Sequence, residues 1–374
     1  MSFICLYHRC ERTDATTEDI LQKAFGGKKI SKDLICKACN NKLGSTIDKE
    51  HAESLDWITS MINPIGRRKP AQKLKNVVDE NGDRWNIDPG GRPTVPYQSI
   101  GENTWKADIS QIELAKKNAL AKAKATGIED PVINIQQYST KAAAIKQSVL
   151  FDNTVTFRAA CKAALEALAL LYFSDDDKRS DLLLNARDFI MHGTEYNSVG
   201  WLVNSIRPNL FLEGLDHSIL LVQSPDLSIY WEYILYGGIV AVSGRFSSIN
   251  KKVNNWLYVV SPTSGERTEL EPNLFVVKEY VSWSPDTTPE LQNRLELLLD
   301  YKINIHINTN TIVEECLAGI SNDRFDSFEQ IEVAVDSIID RYSKVMAELY
   351  GFDSKQVKQY LRTQIKLANF LDSQ

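Results

Sequence analysis

No stretch of about 18 consecutive apolar residues occurs anywhere in these 374 residues, so no membrane-spanning helix is predicted. The opening Met1-Ser2-Phe3-Ile4-Cys5 lacks the basic and apolar regions of a secretory signal, which makes a cytoplasmic location the expectation. Internal repeats and low-complexity tracts are also missing. The only glycine pair near the N-terminus, Gly26-Gly27, is too short to cradle a phosphate and reads as a hairpin turn. Histidine is scarce, at five residues, and although His217 and several serines are present, nothing places a Ser-His-Asp arrangement in the chain. A strong net charge is lacking too: the total of −6 does not suit a protein that coats nucleic acid indiscriminately.

What is present is concentrated at the start. Cys5, Cys10, Cys36 and Cys39 form two close pairs, and in a reducing compartment such pairs read as ligands of a structural zinc ion rather than as disulfides. Four thiolates on two turns let a small segment fold without a large core. The other cysteines, Cys161 and Cys316, read as isolated core thiols. Charge is uneven along the chain. Residues 1–75 hold 14 Lys or Arg against 9 Asp or Glu, a surplus of +5, which leaves −11 for the rest. Arg67, Arg68 and Lys69, with Lys73 and Lys75 close behind, are therefore the candidate contacts to nucleic-acid phosphates, the alternative being a solvated basic linker.

The segment from Thr17-Glu18-Asp19-Ile20 through Phe25-Gly26-Gly27, followed by Ile35-Cys36-Lys37-Ala38-Cys39-Asn40-Asn41-Lys42-Leu43-Gly44 and Ile47-Asp48, resembles the HNH endonuclease family, most of all the branch with a Cys-x-x-Cys-Asn ending. The resemblance is closest over residues 3–70. It implies a ββα-metal fold in which a hairpin and a helix hold one divalent ion, Mg²⁺ or Mn²⁺, against a scissile phosphodiester of DNA. On that resemblance Glu18 and Asn40 are the expected ligands of the catalytic ion, with Asn41 the alternative if the register shifts by one. The family typically reads Glu-His-Ile where this chain has Glu18-Asp19-Ile20, so Asp19 stands at the general base. An aspartate, with an ordinary pKa near 3.9, is a weaker proton acceptor than an imidazole near 6.5. Asp19 is then a second metal ligand or weak base, or catalysis has lapsed and the head binds DNA without cutting it. His8 and His51 are the imidazoles near enough in sequence to substitute as base. Members of this family with a large C-terminal body are often bacterial, and some act in defence against phage.

The reading as a whole is an α+β protein with a zinc-stapled ββα-metal head followed by a helical and antiparallel-sheet body. The expected divisions are a nuclease domain at 1–75, a connector at 76–150 and a C-terminal domain at 151–374 that senses a signal or docks a protein partner or second copy. One helix is predicted from Asn40 to Ile62, a turn-rich hairpin or linker at 79–96, and further helices at 108–124, 155–171 and 181–191, where His192 reads as a helix-end residue. Strands are predicted at 218–223, 228–235, 239–243, 256–260 and 274–281, then helices at 288–302, 309–319, 326–349 and 354–371.

Overall fold

The computed structural model describes residues 2–64, 71–101, 104–107, 111–126, 151–207, 215–274 and 283–286, with single positions beyond. The predicted helices between 288 and 371 and nearly all of the predicted strand 274–281 lie outside the described residues.

The head is made of very short strands. β1 (Phe3–Ile4) pairs antiparallel with β2 (Glu11–Arg12), and β3 (Glu18–Asp19) pairs antiparallel with β4 (Ile30–Ser31). The connection between β3 and β4 carries a 3-10 turn, Lys23–Phe25, that ends on Gly26 at φ +87°, a conformation glycine adopts without strain. Gly27 has no room for a side chain, since a Cβ there would lie 1.8 Å from the Leu21 carbonyl oxygen. The glycine pair is thus the hairpin turn that the sequence suggested.

Three helices follow: α1 (Lys37–Ser45), α2 (Ile47–Ser54) and α3 (Asp56–Ile62). A single helix was expected here. The chain breaks at Thr46, where φ is −117° and ψ −96°, and again at Leu55. A hydroxyl captures a carbonyl at each break: Thr46 Oγ1 donates to the Lys42 carbonyl at 2.7 Å and Ser54 Oγ to the His51 carbonyl at 2.8 Å. Such local bonds compete with the helical ladder and bend it. The apolar residues Leu43, Ile47, Leu55, Ile58 and Ile62 are nonetheless all buried, as the helical spacing required.

The turn-rich segment forms a small antiparallel sheet of β5 (Leu74–Val78), β6 (Arg84–Asp88) and β7 (Arg92–Thr94). Asp79 shapes its first turn by accepting from the backbone N–H groups of Asn81 and Asp83 and from the Trp85 indole at 2.9 Å. A hairpin of β8 (Gln98–Gly101) and β9 (Thr104–Lys106) and the exposed helix α4 (Ile112–Ala125) complete the connector.

The body is built on α5 (Asn153–Tyr172), capped by Asp152, which accepts from Val155 N–H at 3.0 Å. Two shorter helices, α6 (Asp175–Arg179) and α7 (Leu184–His192), follow. α6 is absent from the sequence reading, and its start is a reciprocal Ser174–Asp177 capping box. Gly193 at φ +70° ends α7. The antiparallel sheet comprises β10 (Val199–Leu202), β11 (His217–Gln223), β12 (Ile229–Leu235), β13 (Val240–Phe246), β14 (Trp256–Val260), β15 (Arg267–Leu270) and β16 (Trp283–Ser284), in the spatial order β15-β14-β11-β12-β13-β10-β16. β10, β15 and β16 were not anticipated. α5 packs on β10 to β13 and also on α2 and α7, so its circumference is covered almost completely. One hydrophobic core therefore runs from Leu6, Phe25, Ile47 and Ile58 of the head into Leu165, Leu168, Ile219 and Trp231 of the body.

Candidate functional site

The N-terminal knuckle is a tight turn. Arg9, at φ +57°, donates its N–H to the Cys5 carbonyl at 2.8 Å, and Cys5 N–H donates to the Cys10 carbonyl at 3.1 Å. Leu6 N–H bonds to the Leu34 carbonyl at 2.9 Å, and Cys36 bridges to Ala15, so both knuckles sit against one another at the start of α1. Backbone N–H groups of His8 and Cys36 point at the Cys5 sulfur, at 3.5 and 3.4 Å.

Cys5, His8, Cys36 and Cys39 come together with ligand atoms within 4.8 Å of one another. His8 Nδ1 lies 3.1 Å from Cys36 Sγ, 3.4 Å from Cys39 Sγ and 4.0 Å from Cys5 Sγ, and the Cys5 and Cys39 sulfurs are 3.8 Å apart. A tetrahedron with Zn–S bonds of about 2.3 Å has edges of about 3.8 Å, so three sulfurs and one imidazole nitrogen at these separations fit a structural zinc ion. Without a cation two such thiols cannot both ionise. The Cys39 hydrogen bond pulls Cys5 down to about 4, while its Cys5 partner and burial push Cys39 upward. The expected set of four cysteines is thus changed by one member, because Cys10 is exposed and lies outside the group while His8 lies within it. The spacing could have revealed this. Cys5-x-x-His8 repeats the two-residue interval of Cys36-x-x-Cys39, and Cys5-x-x-x-x-Cys10 does not.

Just beyond the zinc-type cluster, β3 carries Glu18 and Asp19, and Asn40 lies at the end of the first turn of α1. The Asn40 amide donates to Thr16 Oγ1 at 2.9 Å and to the Thr17 carbonyl at 3.2 Å, which ties the helix to the strand beside Glu18. Glu18 itself is buried. Its carboxylate is ion-paired with Lys162 of α5. The same ammonium lies 3.4 Å from Asp48 on α2 and 3.3 Å from Glu166, one turn along α5. Gln22 donates to Asp48 at 2.9 Å and the Tyr7 hydroxyl to Glu166 at 2.9 Å.

Burial alone would depress Lys162, but Asp48, Glu166 and Glu18 together hold it well above its usual range, so it remains an ammonium. Desolvation raises Glu18 against the pull of Lys162, and raises Glu166 to about 8. In this arrangement the Lys162 ammonium already sits on Glu18, the expected carboxylate ligand of Mg²⁺ or Mn²⁺, whereas the Asn40 amide donates through its nitrogen to Thr16 and Thr17 and keeps its Oδ1 as an acceptor. Lys162 and Glu166 escaped sequence reasoning because they lie on a helix that reads as purely apolar core.

Neither alternative base is suitably placed. His51 is fully buried and desolvation lowers it to about 3, while His8 belongs to the metal-type cluster. Arg67, Arg68 and Lys69 lie outside the described residues, and Lys73 is paired with Asp88 at 2.7 Å. In the body, Glu232 is buried but accepts from Ser205, Tyr230 and the Ile206 N–H, and so is a satisfied core carboxylate.

A short hairpin, a following helix and a cysteine–histidine cluster that staples them define a zinc-binding ββα head. Residues 4–56 match the family model described as HNH endonuclease. No curated protein and no solved structure matches the chain. No described helix is long and apolar enough to cross a membrane.

Proposed function

We propose that this chain is an HNH-type endonuclease that hydrolyses phosphodiester bonds in DNA, with residues 1–75 as the nuclease head and residues 151–374 as a body that governs it. The observation that supports this most is the tie from Asn40 on α1 to Thr16 and Thr17 beside Glu18-Asp19 on β3, within the matched segment. Strand, helix and zinc staple stand in the order that a ββα nuclease needs. Cytoplasmic action on invading DNA, such as that of phage, is the setting we favour, with Arg67, Arg68 and Lys69 positioning backbone phosphates.

The test is incubation of zinc-loaded protein with supercoiled plasmid in Mg²⁺ or Mn²⁺. Nicking or linearisation is expected, and Glu18→Ala or Asn40→Ala should abolish it. Cleavage that survives Glu18→Ala would show that the active site lies elsewhere. A second reading, a head that binds DNA without cutting it, draws on Asp19 at the histidine position and on Lys162 seated at Glu18. In that case plasmid stays intact while a gel shift weakens steeply with salt.

A further inference from the structure

α5 is an apolar helix over most of its surface, with Ala159, Ala160, Ala163, Ala164, Leu165 and Leu168 buried. Lys162 and Glu166 are the charged side chains it buries, and they are one helical turn apart. Lys162 meets Glu18 and Asp48 of the head, and Glu166 accepts from Tyr7. The partners come from distant parts of the chain: 144 residues separate Lys162 from Glu18. Removing charges from water is costly, and a buried ion pair is a poor way to gain stability compared with apolar packing. An interface already lined by Phe25, His51, Tyr233 and Tyr236 has that packing available. Three carboxyl groups, Glu18, Asp48 and Glu166, also converge on the one ammonium. Such a cluster of oxygen ligands suits a divalent cation better than a monovalent one.

We propose that Lys162 is a built-in cation latch: it occupies the Glu18 carboxylate in place of a divalent ion, so that the docked body holds the nuclease site closed. A divalent ion and the ammonium cannot share Glu18, because like charges at contact distance in a buried site repel strongly. Loading the site therefore requires Lys162 to withdraw, by movement of α5 relative to the β3 hairpin. What the body senses would act through that movement. This inference rests on the nuclease reading, since it names what keeps that same site shut.

The experiment uses the full zinc-loaded chain, with Mn²⁺ as the probe. Mn²⁺ uptake is followed by the loss of the free-ion electron paramagnetic resonance signal, and plasmid cleavage is followed in parallel. Lys162→Met should bind Mn²⁺ at least about tenfold more tightly than the wild type, a change of about 1.4 kcal/mol, and should cleave faster in proportion. Lys162→Met/Glu166→Gln keeps the formal charge of the cluster and a hydrogen-bond acceptor for Tyr7, and serves if the single variant does not fold by circular dichroism. Tighter Mn²⁺ without cleavage supports the latch while the nuclease reading fails. Equal Mn²⁺ affinity and equal cleavage in variant and wild type, both lost in Glu18→Ala, overturns the latch and leaves the nuclease reading standing. Slower cleavage in Lys162→Met means that Lys162 assists the reaction, which also overturns the latch. So does tight Mn²⁺ binding by the wild type that Glu18→Ala removes, an arm that needs no Lys162 variant to fold.

Discussion

His8 contributes its Nδ1 to a cluster with three sulfurs, whereas Cys10, two residues further on, is exposed to solvent. The consequences of substitution should differ accordingly. Structural zinc in small domains is held by roughly 10–16 kcal/mol across four ligands, so losing one is worth about 3 kcal/mol or about 100-fold in affinity. His8→Ala should release zinc to a chromophoric chelator at correspondingly lower chelator concentration, while Cys10→Ser should retain one zinc per chain. A zinc content that falls in Cys10→Ser and holds in His8→Ala would restore the four-cysteine set. Asp19 gives the second residue-scale expectation. If a positioned imidazole is what the site lacks, Asp19→His should raise cleavage by something like 10²–10⁴-fold in a plasmid assay. Legibility at this scale followed sequence distance. Three of the zinc-type ligands could be read because they fall in close pairs along the chain, and His8 was within reach of the same spacing argument. Lys162 could not be read, since nothing in Ala-Ala-Cys-Lys-Ala-Ala announces a partner on a strand 144 residues earlier in the chain.

Elements with a strong period were legible, and interruptions within a continuous apolar stripe were not. The limits of α5, β11 and β12 fall within a few residues of the spans that periodicity gave, because burial on one or all sides dictates the pattern, whereas α4, which buries nothing, was legible from its helix-forming Ala, Lys and Leu. The single helix over 40–62 failed because a buried stripe continues across a break as readily as along a helix; Thr46 and Ser54 mark the breaks through side-chain hydroxyls that compete for carbonyls. β15 was missed because all four of its residues, Arg267 to Leu270, are exposed and carry no alternation. Two tests belong to α5. Asp152→Ala removes the N-cap and should cost about 1 kcal/mol in chemical denaturation. Ala164→Leu, at a fully buried position in the helix that core residues of both head and body surround, should cost more, about 1–3 kcal/mol from overpacking. A neutral Ala164→Leu would mean that α5 has space around it that the packing does not show.

Head and body share one core, and two histidines sit where they meet. His51 on α2 packs against Phe25 and Tyr233, with ring centroids 5.5 and 6.2 Å away, and His217 on β11 packs against Phe25 and Tyr236. His217 Nδ1 accepts the Tyr236 N–H at 3.0 Å, which requires the neutral ring. Desolvation lowers both imidazoles to about 3. A histidine depressed on folding takes up protons first in the unfolded chain, so its contribution is fully present above the ordinary value near 6.5 and is lost as pH falls toward 3. Each group then changes stability by about 1.4 kcal/mol per pH unit within that window. Glu166, raised by desolvation to about 8, acts in the opposite sense: its contribution is complete below the ordinary carboxylate value and fades as pH climbs to 8. The two trends cross near pH 6.5, where stability should peak. Urea midpoints measured from pH 4.5 to 8 should trace that peak. His51→Leu should make the acid limb shallower by about 1.4 kcal/mol per pH unit, whatever it does to stability at neutral pH, and Glu166→Gln should flatten the alkaline limb. If the acid limb keeps its slope in His51→Leu, the ring is already protonated or hydrated in the folded protein, and the meeting of head and body is wetter than its packing indicates.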